Sequence, residues 1–174
     1  ECLDSLVNQT LKDIEIICVN DASPDKSKDI AEQYAMRDSR VRVVSHVKNQ
    51  GLGPARNTGV ENATAPYIMF VDSDDVVTTN MAEKLYSEMI SKHVDMVWCN
   101  IGAISDDSTM RKKGSDIPTG VFSPTDILAD SQLYQILLPS WNKLYKKELI
   151  CDVKQMPIVS EDQPFLAVVL GRCE

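Results

Sequence analysis

The sequence predicts an α/β fold, a mostly parallel sheet flanked by helices, with a small antiparallel and helical region toward the C-terminal end. Three observations predict it. The chain has 174 residues, enough for one α/β domain with a core of its own. Short apolar runs alternate with helical stretches through residues 1–100, the mark of right-handed βαβ crossovers. Past about Ile101 that rhythm breaks and a polar stretch follows.

The elements follow in order. Leu3 to Gln9 is helical in pattern. Ile14 to Val19, Ile-Glu-Ile-Ile-Cys-Val, is a β-rich apolar run and reads as a buried strand. It ends in the turn cluster Asn20-Asp21-Ala22-Ser23-Pro24-Asp25. Asp25 or Ser27 is placed to cap a helix from about Lys26 to Arg37. Val41 to Ser45 is a second strand. Asn49-Gln50-Gly51-Leu52-Gly53-Pro54 is a glycine-bearing loop, and Pro54 in a first turn opens a helix to about Asn62. Tyr67 to Val71 is a third strand that runs into Asp72-Ser73-Asp74-Asp75. Met81 to Ser91 is helical, and Met96 to Cys99 is a fourth strand. Residues 105 to 120, with Asp106-Asp107, Arg111-Lys112-Lys113 and Gly114, read as a hairpin or a mobile loop. Pro124 opens a short helix, and Trp141 to Leu149 and Pro164 to Leu170 read as further helical pieces.

Composition narrows the function. The net charge of −8 repels phosphate backbones, which argues against nucleic acid as a partner. An acidic protein still binds an anionic nucleotide when a divalent cation sits between them. No apolar run approaches the ~18 residues of a membrane span, so a soluble segment is expected. The start, Glu1-Cys2-Leu3-Asp4-Ser5, is not a signal peptide and reads as the inside of a helix, as though the chain began after a lost segment. Of the five cysteines none forms a CxxC pair; Cys18 and Cys99 lie in apolar runs, which points to a reducing compartment without a disulfide framework.

Ligands of open parallel sheets bind beyond the carboxyl ends of the strands. Asp21 follows one strand and Asp72, Asp74 and Asp75 follow another, so these carboxylates are expected on one rim. Three carboxylates in four residues repel each other when desolvated, and Mg²⁺ or Mn²⁺ suits such hard oxygen ligands. The plain alternative is an acidic turn capping the helix near Met81. Asp21 is able to accept from a base N–H or a ribose hydroxyl, although a local turn or cap explains it as well. Arg56 stands on an early turn behind Gly51 and Gly53, where a helix N-terminus favours anions; a surface arginine is the alternative. In Ser160-Glu161-Asp162-Gln163-Pro164 one carboxylate is suited to take a proton from an acceptor hydroxyl, unless the motif is only a helix cap. His46 and His93 have no carboxylate or cysteine at ligand spacing and read as ordinary surface or strand-end residues.

Six segments in register are similar to glycosyltransferase family 2: Asn8-Gln9-Thr10, Val19-Asn20-Asp21-Ala22-Ser23, Gly51-Leu52-Gly53-Pro54-Ala55-Arg56-Asn57-Thr58-Gly59, Tyr67-Ile68-Met69-Phe70-Val71-Asp72-Ser73-Asp74-Asp75, Trp141-Asn142-Lys143-Leu144-Tyr145 and Glu161-Asp162. The resemblance runs from the first residue to about Leu170 and implies the GT-A fold. It divides the chain into a nucleotide-sugar-binding half, residues 1–100, and an acceptor-binding half, residues 101–174. It implies an inverting transfer of a sugar from a nucleoside diphosphate, a UDP-sugar favoured, to a hydroxyl of a saccharide or lipid-linked acceptor in bacterial polysaccharide synthesis.

By the same resemblance Asp21 reads the base and Arg56 lies near it. Asp72 faces the ribose as the first residue of a DxD motif, Asp74 ligates Mg²⁺ or Mn²⁺, and Asp75 lies close to sugar and acceptor. Asp162 is the catalytic base with Glu161 beside it, and Trp141 is an aromatic wall near the acceptor, where a core tryptophan is the competing reading. The implied setting is cytoplasmic or peripheral to the inner face of the membrane, with a homodimer possible.

Two departures stand out. Family members begin with an apolar strand that nothing here matches, so the first half is expected to lack its first strand and the second to be truncated. The stretch Asp152 to Ile158 is short before Glu161-Asp162. Two other classes compete. A nucleotidyltransferase shares an acidic metal site but places a basic, glycine-rich loop after its first strand, where this chain has Ala22-Ser23-Pro24. A non-catalytic nucleotide- or sugar-binding module, or a phospho-receiver, fits less well; the receiver needs a later strand-end lysine that is missing.

Overall fold

A computed structural model describes residues 1–104, 110–112, 119–158 and 160–173. The first half alternates as the sequence requires: α1 (Cys2–Val7), β1 (Ile16–Asn20), α2 (Ser27–Arg37), β2 (Val41–Ser45), α3 (Leu52–Asn62), β3 (Tyr67–Met69), α4 (Met81–Lys92) and β4 (Met96–Trp98). β1 and β2 pair in parallel, Ile16 opposite Val41 through Asn20 opposite Ser45. α4 buries Ala82, Leu85 and Met89, one stripe at helical spacing.

The second half holds β5 (Gly102–Ile104), β6 (Met110–Lys112), α5 (Pro124–Ala129), α6 (Ser131–Leu137), β7 (Lys143–Lys146), α7 (Lys147–Ile150) and α8 (Asp162–Leu170). β5 and β6 pair antiparallel, so the polar stretch contains a hairpin. The rest of that stretch, residues 105–109 and 113–118, lies outside the described residues. Ser123 and Asp126 form a reciprocal cap, with Pro124 opening α5.

The reading of 141 to 149 as helical needs correction. β7 lies between β3 and β4 and runs antiparallel to both, Tyr145 opposite Ile68 on one side and Met96 on the other. Its residues Lys143, Leu144 and Tyr145 are all buried, and a short run buried on both faces has no period that separates strand from helix. Pairing with two strand edges decides the matter, and helix resumes only at α7. Around β7, Ile68, Phe70, Met96, Tyr145, Phe165, Leu166 and Val169 form the main core. Phe70, Tyr145 and Phe165 stack mutually at centroid distances of 5.9 to 6.3 Å. The core therefore fixes the end of β3, the turn before β7 and the start of α8 against one another. Among the described residues no helix is long and apolar enough to cross a membrane, and the five cysteines are free.

Candidate active site

α3 is the spine of the site. Gly51 precedes it at φ 97°, a conformation glycine adopts without strain. At Gly53 a β-carbon would lie 2.5 Å from the Met156 carbonyl oxygen, so only glycine lets the 155–157 segment cross the first turn. Asn57 holds that segment by both ends of its amide: Nδ2 donates to the Gln155 carbonyl and Oδ1 accepts from the Gln155 amide, each at 2.9 Å.

Arg56 points inward from the second turn of α3 and is buried. Its Nη2 donates to Asp72 Oδ1 at 3.0 Å. Its Nη1 donates to Asp162 Oδ1 at 2.9 Å, Glu161 Oε1 at 3.0 Å and Gln155 Oε1 at 3.4 Å. The guanidinium also sits 5.9 Å from the Phe70 ring centroid. One cation thus joins the carboxylate past β3 to the carboxylates that open α8. Arg56 is not the surface residue of the plain reading: its η nitrogens are taken up by carboxylates. Its Nε is buried with no partner among the described residues.

Asp162 has a lopsided environment. Its Oδ1 accepts from Arg56, from the Ser140 amide at 3.2 Å and from the Ser140 hydroxyl. Its Oδ2 has no hydrogen bond among the described residues. α8 has no side-chain cap, so Glu161 and Asp162 are not a capping motif. Ser140 is held in turn: Tyr145 Oη donates to its carbonyl at 3.0 Å and Gln155 Nε2 to its hydroxyl at 3.4 Å.

The turn carrying Ser140 and the half-buried Trp141 is shaped by Lys143, which is wholly buried. Its ammonium donates to the Pro139 carbonyl at 2.5 Å, Asn142 Oδ1 at 2.7 Å and the Trp141 carbonyl at 3.4 Å. Burial pulls the Lys143 amine down to about 7, against the upward pull of Asp162 and Cys99. Asn142, at φ 62°, exchanges hydrogen bonds with the Cys99 backbone.

The acidic turn does not cap α4: Asn80 is the capping position, its side chain makes no capping bond to the helix, and the Ala82 amide is met by Gln9 Oε1 at 3.0 Å. Gln9 is buried, and its Nε2 donates to the carbonyls of Ser5 at 3.0 Å and Thr78 at 2.8 Å. α1 therefore pins the chain just beyond Asp72–Asp75. Burial, then the charges of Asp74 and Asp72, raise the Asp75 carboxyl above its ordinary value. Asp74 is exposed. Among the described residues no group of three His, Cys, Asp or Glu side chains is arranged to hold a metal. One or two carboxylates completed by diphosphate oxygens and water is nonetheless an ordinary Mg²⁺ or Mn²⁺ site, and this turn fits that donor set.

Asp21 closes the other end of the site. Its Oδ2 accepts from the Gly51 amide at 2.7 Å, and the Gln50 amide is shared between Oδ1 and Oδ2 at 2.9 and 3.0 Å. His46 Nδ1 lies 2.6 Å from Oδ1. Burial works against the ionised form, but the bonds from His46, Gln50 and Gly51 outweigh it and hold the carboxyl below its usual range. The reading of His46 as a residue without a carboxylate partner is therefore corrected: the two side chains are 25 positions apart and meet because β1 and β2 are parallel neighbours. His93 is the left-handed residue that ends α4.

Asp21 and Asp72 thus attach to successive turns of one helix, the first at its N-terminus and the second through Arg56. A cavity of about 380 Å³ lies elsewhere, at the N-terminal end of β3, lined by Pro66, Tyr67, Lys146, Lys147, Glu148 and Cys151. It contains none of the expected site residues. Sequence reasoning missed Gln9, His46, Ser140, Lys143 and Gln155. Gln9 and Lys143 stood inside quoted motifs, and only burial reveals their work.

Comparison with known proteins adds three findings. The family model described as Glycosyl transferase family 2 matches residues 1–152. The uncharacterized glycosyltransferase EpsJ of Bacillus subtilis is 42% identical over 152 residues, 86% of this chain and 44% of its own length. The poly(ribitol-phosphate) beta-glucosyltransferase of Bacillus spizizenii is 36% identical over 160 residues, 88% of this chain and 24% of its own length. The chain spans less than half the length of these relatives. Among solved structures, S. aureus TarS 1–349 in complex with UDP superposes with a TM-score of 0.82 at 21% identity, over 100% of this chain and 51% of that one. The mannosyltransferase PcManGT from Pyrobaculum calidifontis, in complex with GDP-Man and Mn²⁺, gives 0.66 at 16% identity, over 96% and 46%. These likenesses show the GT-A fold.

Proposed function

The chain belongs to glycosyl transferase family 2, and we propose that it moves a sugar from a nucleoside-diphosphate sugar to a hydroxyl acceptor with inversion, Asp162 serving as the base. The observation that carries this reading is the asymmetry of Asp162: three donors hold Oδ1 and leave Oδ2 unbonded. A carboxylate held at one oxygen keeps its direction while the other oxygen is available to a proton.

In the reaction the acceptor hydroxyl gives its proton to Asp162 Oδ2 as its oxygen bonds to the anomeric carbon. The bond from that carbon to the diphosphate oxygen breaks on the opposite face, which inverts the centre. Arg56 keeps Asp162 and Glu161 at a fixed place relative to Asp72, so donor and base are held by one cation. Asp74, with Asp75 beside it, would hold Mg²⁺ or Mn²⁺, which supplies charge neutralisation for the departing diphosphate. Asp21 receives the base, Asp72 faces the ribose, and Trp141 lines the acceptor side, dividing the chain near residue 100. UDP bound to TarS and Mn²⁺ with GDP-Man bound to PcManGT support a nucleotide donor and a divalent ion, with UDP-sugars tried first.

The test is a donor screen on the full-length protein with Mn²⁺, reading nucleoside diphosphate release and the anomeric configuration of the product. Release from a UDP-sugar with an inverted product is expected. No release from any nucleotide sugar, or a retained configuration, would overturn the proposal.

A further inference from the structure

His46 is nearly enclosed, its side chain 9% exposed, yet both ring nitrogens are engaged. Nδ1 faces Asp21 Oδ1 at 2.6 Å and Nε2 faces Thr58 Oγ1 at 2.8 Å. A carboxylate only accepts, so Nδ1 carries the proton; a hydroxyl both donates and accepts, so Thr58 serves Nε2 in either protonation state. Thr58 stands on α3, while the His46 amide donates to the Asn20 carbonyl at the end of β1. The imidazole therefore ties β1, β2 and α3 together beside Asp21.

A carboxylate offers about four lone-pair positions. At Asp21 three donors meet both oxygens, His46 and the Gln50 amide at Oδ1 and the Gly51 amide with the shared Gln50 proton at Oδ2. The Asp21 side chain is still 16% exposed. We infer that His46 is a positioning residue of the nucleotide pocket, clamped by Thr58 so that Asp21 holds its carboxylate in one fixed orientation toward a base N–H. This rests on the reading of Asp21 as the base acceptor. With both nitrogens occupied and the ring enclosed, His46 touches no ligand and acts only through Asp21. Without the imidazole the carboxylate would keep the two loop amides but lose its hold at Oδ1, leaving that oxygen facing the space the ring has left.

The experiment measures UDP affinity by calorimetry with Mn²⁺ on the full-length protein, alongside the donor KM and kcat. His46→Asn keeps a donor near the Nδ1 position and loses Thr58; His46→Gln reaches toward Thr58 and loses Asp21; His46→Leu loses both; Thr58→Val removes the clamp from the far side. UDP binding should weaken on the order of tenfold or more in the Leu and Gln variants, and by about threefold or less in the Asn and Val variants. The donor KM should follow while kcat stays within about twofold. A merely structural histidine would instead lower the melting temperature in every variant without separating Asn from Gln. Equal UDP binding in the four variants and the wild type, or a fall in kcat at unchanged KM, would overturn the inference. Should His46→Leu fail to fold, the Asn–Gln contrast decides. If the wild type itself binds none of UDP, GDP, CDP, ADP and TDP, the donor reading fails first and the positioning role with it.

Discussion

Replacing Arg56 by methionine removes a cation shared by Asp72, Glu161 and Asp162. The arginine side chain is 6% exposed and its partners 26%, 12% and 24%. Breaking a buried pair by deleting one partner costs about 3–5 kcal/mol, since the remaining charge stays desolvated. The carboxylates here keep some contact with water, which places the cost at the low end, about 3 kcal/mol. With a urea slope of about 2 kcal/mol/M for a chain of this size, the unfolding midpoint falls by about 1.5 M at pH 7. Arg56→Lys should recover only part of the loss, since one ammonium lacks the fork that spans Asp72 on one side and the Glu161–Asp162 pair on the other. Urea titrations of the three proteins at pH 7 measure this. A midpoint for Arg56→Met within about 0.3 M of wild type at pH 7 would refute the reasoning.

Three further outcomes follow from the geometry. Gly53→Ala drives a β-carbon into the Met156 carbonyl; a loss of about 1–3 kcal/mol in urea unfolding is expected, and unchanged stability would show that the 155–157 crossing has slack. Lys143, pulled down to about 7 in the fold, binds fewer protons folded than unfolded above that pH, so stability should rise with pH between 7 and 9. The rise amounts to about 2–3 kcal/mol; above pH 9 the raised thiols Cys18 and Cys173, both at about 11, act in the opposite direction. Lys143→Met should flatten the rise, and an identical pH profile in the variant would contradict it. Asp74→Asn should abolish the part of UDP-induced thermal stabilisation that EDTA removes, up to about 2.7 kcal/mol at a hundredfold excess over Kd; an EDTA-sensitive shift that survives the substitution would move the metal elsewhere.

The sequence carried the first half of the fold because each element there is local. Ile14 to Val19 and Met81 to Ser91 announce themselves by composition and period, and Pro54 and Pro124 mark helix starts. β7 was illegible for the opposite reason. Its strand state is imposed by β3 and β4, which lie some 75 and 45 residues away by register. The acidic positions were legible because several carboxylates in one turn are hard to explain otherwise. Their partners were not. His46 meets Asp21 through strand adjacency, Ser140 meets Asp162 through the turn before β7, and Arg56, expected beside a nucleotide base, meets Gln155, Glu161 and Asp162 from about a hundred positions along the chain. Gln9 shows the limit most plainly: a glutamine in a helical pattern gives no sign that it is fully enclosed and ties α1 to the start of α4.

Asp162→Asn tests most directly the proposal that Asp162 takes the acceptor's proton. The substitution keeps the side chain's shape and an oxygen for Arg56 and Ser140, but removes the basic Oδ2. With the full-length protein, its natural donor and Mn²⁺, kcat should fall about 10²–10⁴-fold while UDP affinity stays within about twofold. Turnover within tenfold of wild type, or loss of UDP binding in step with turnover, would contradict it.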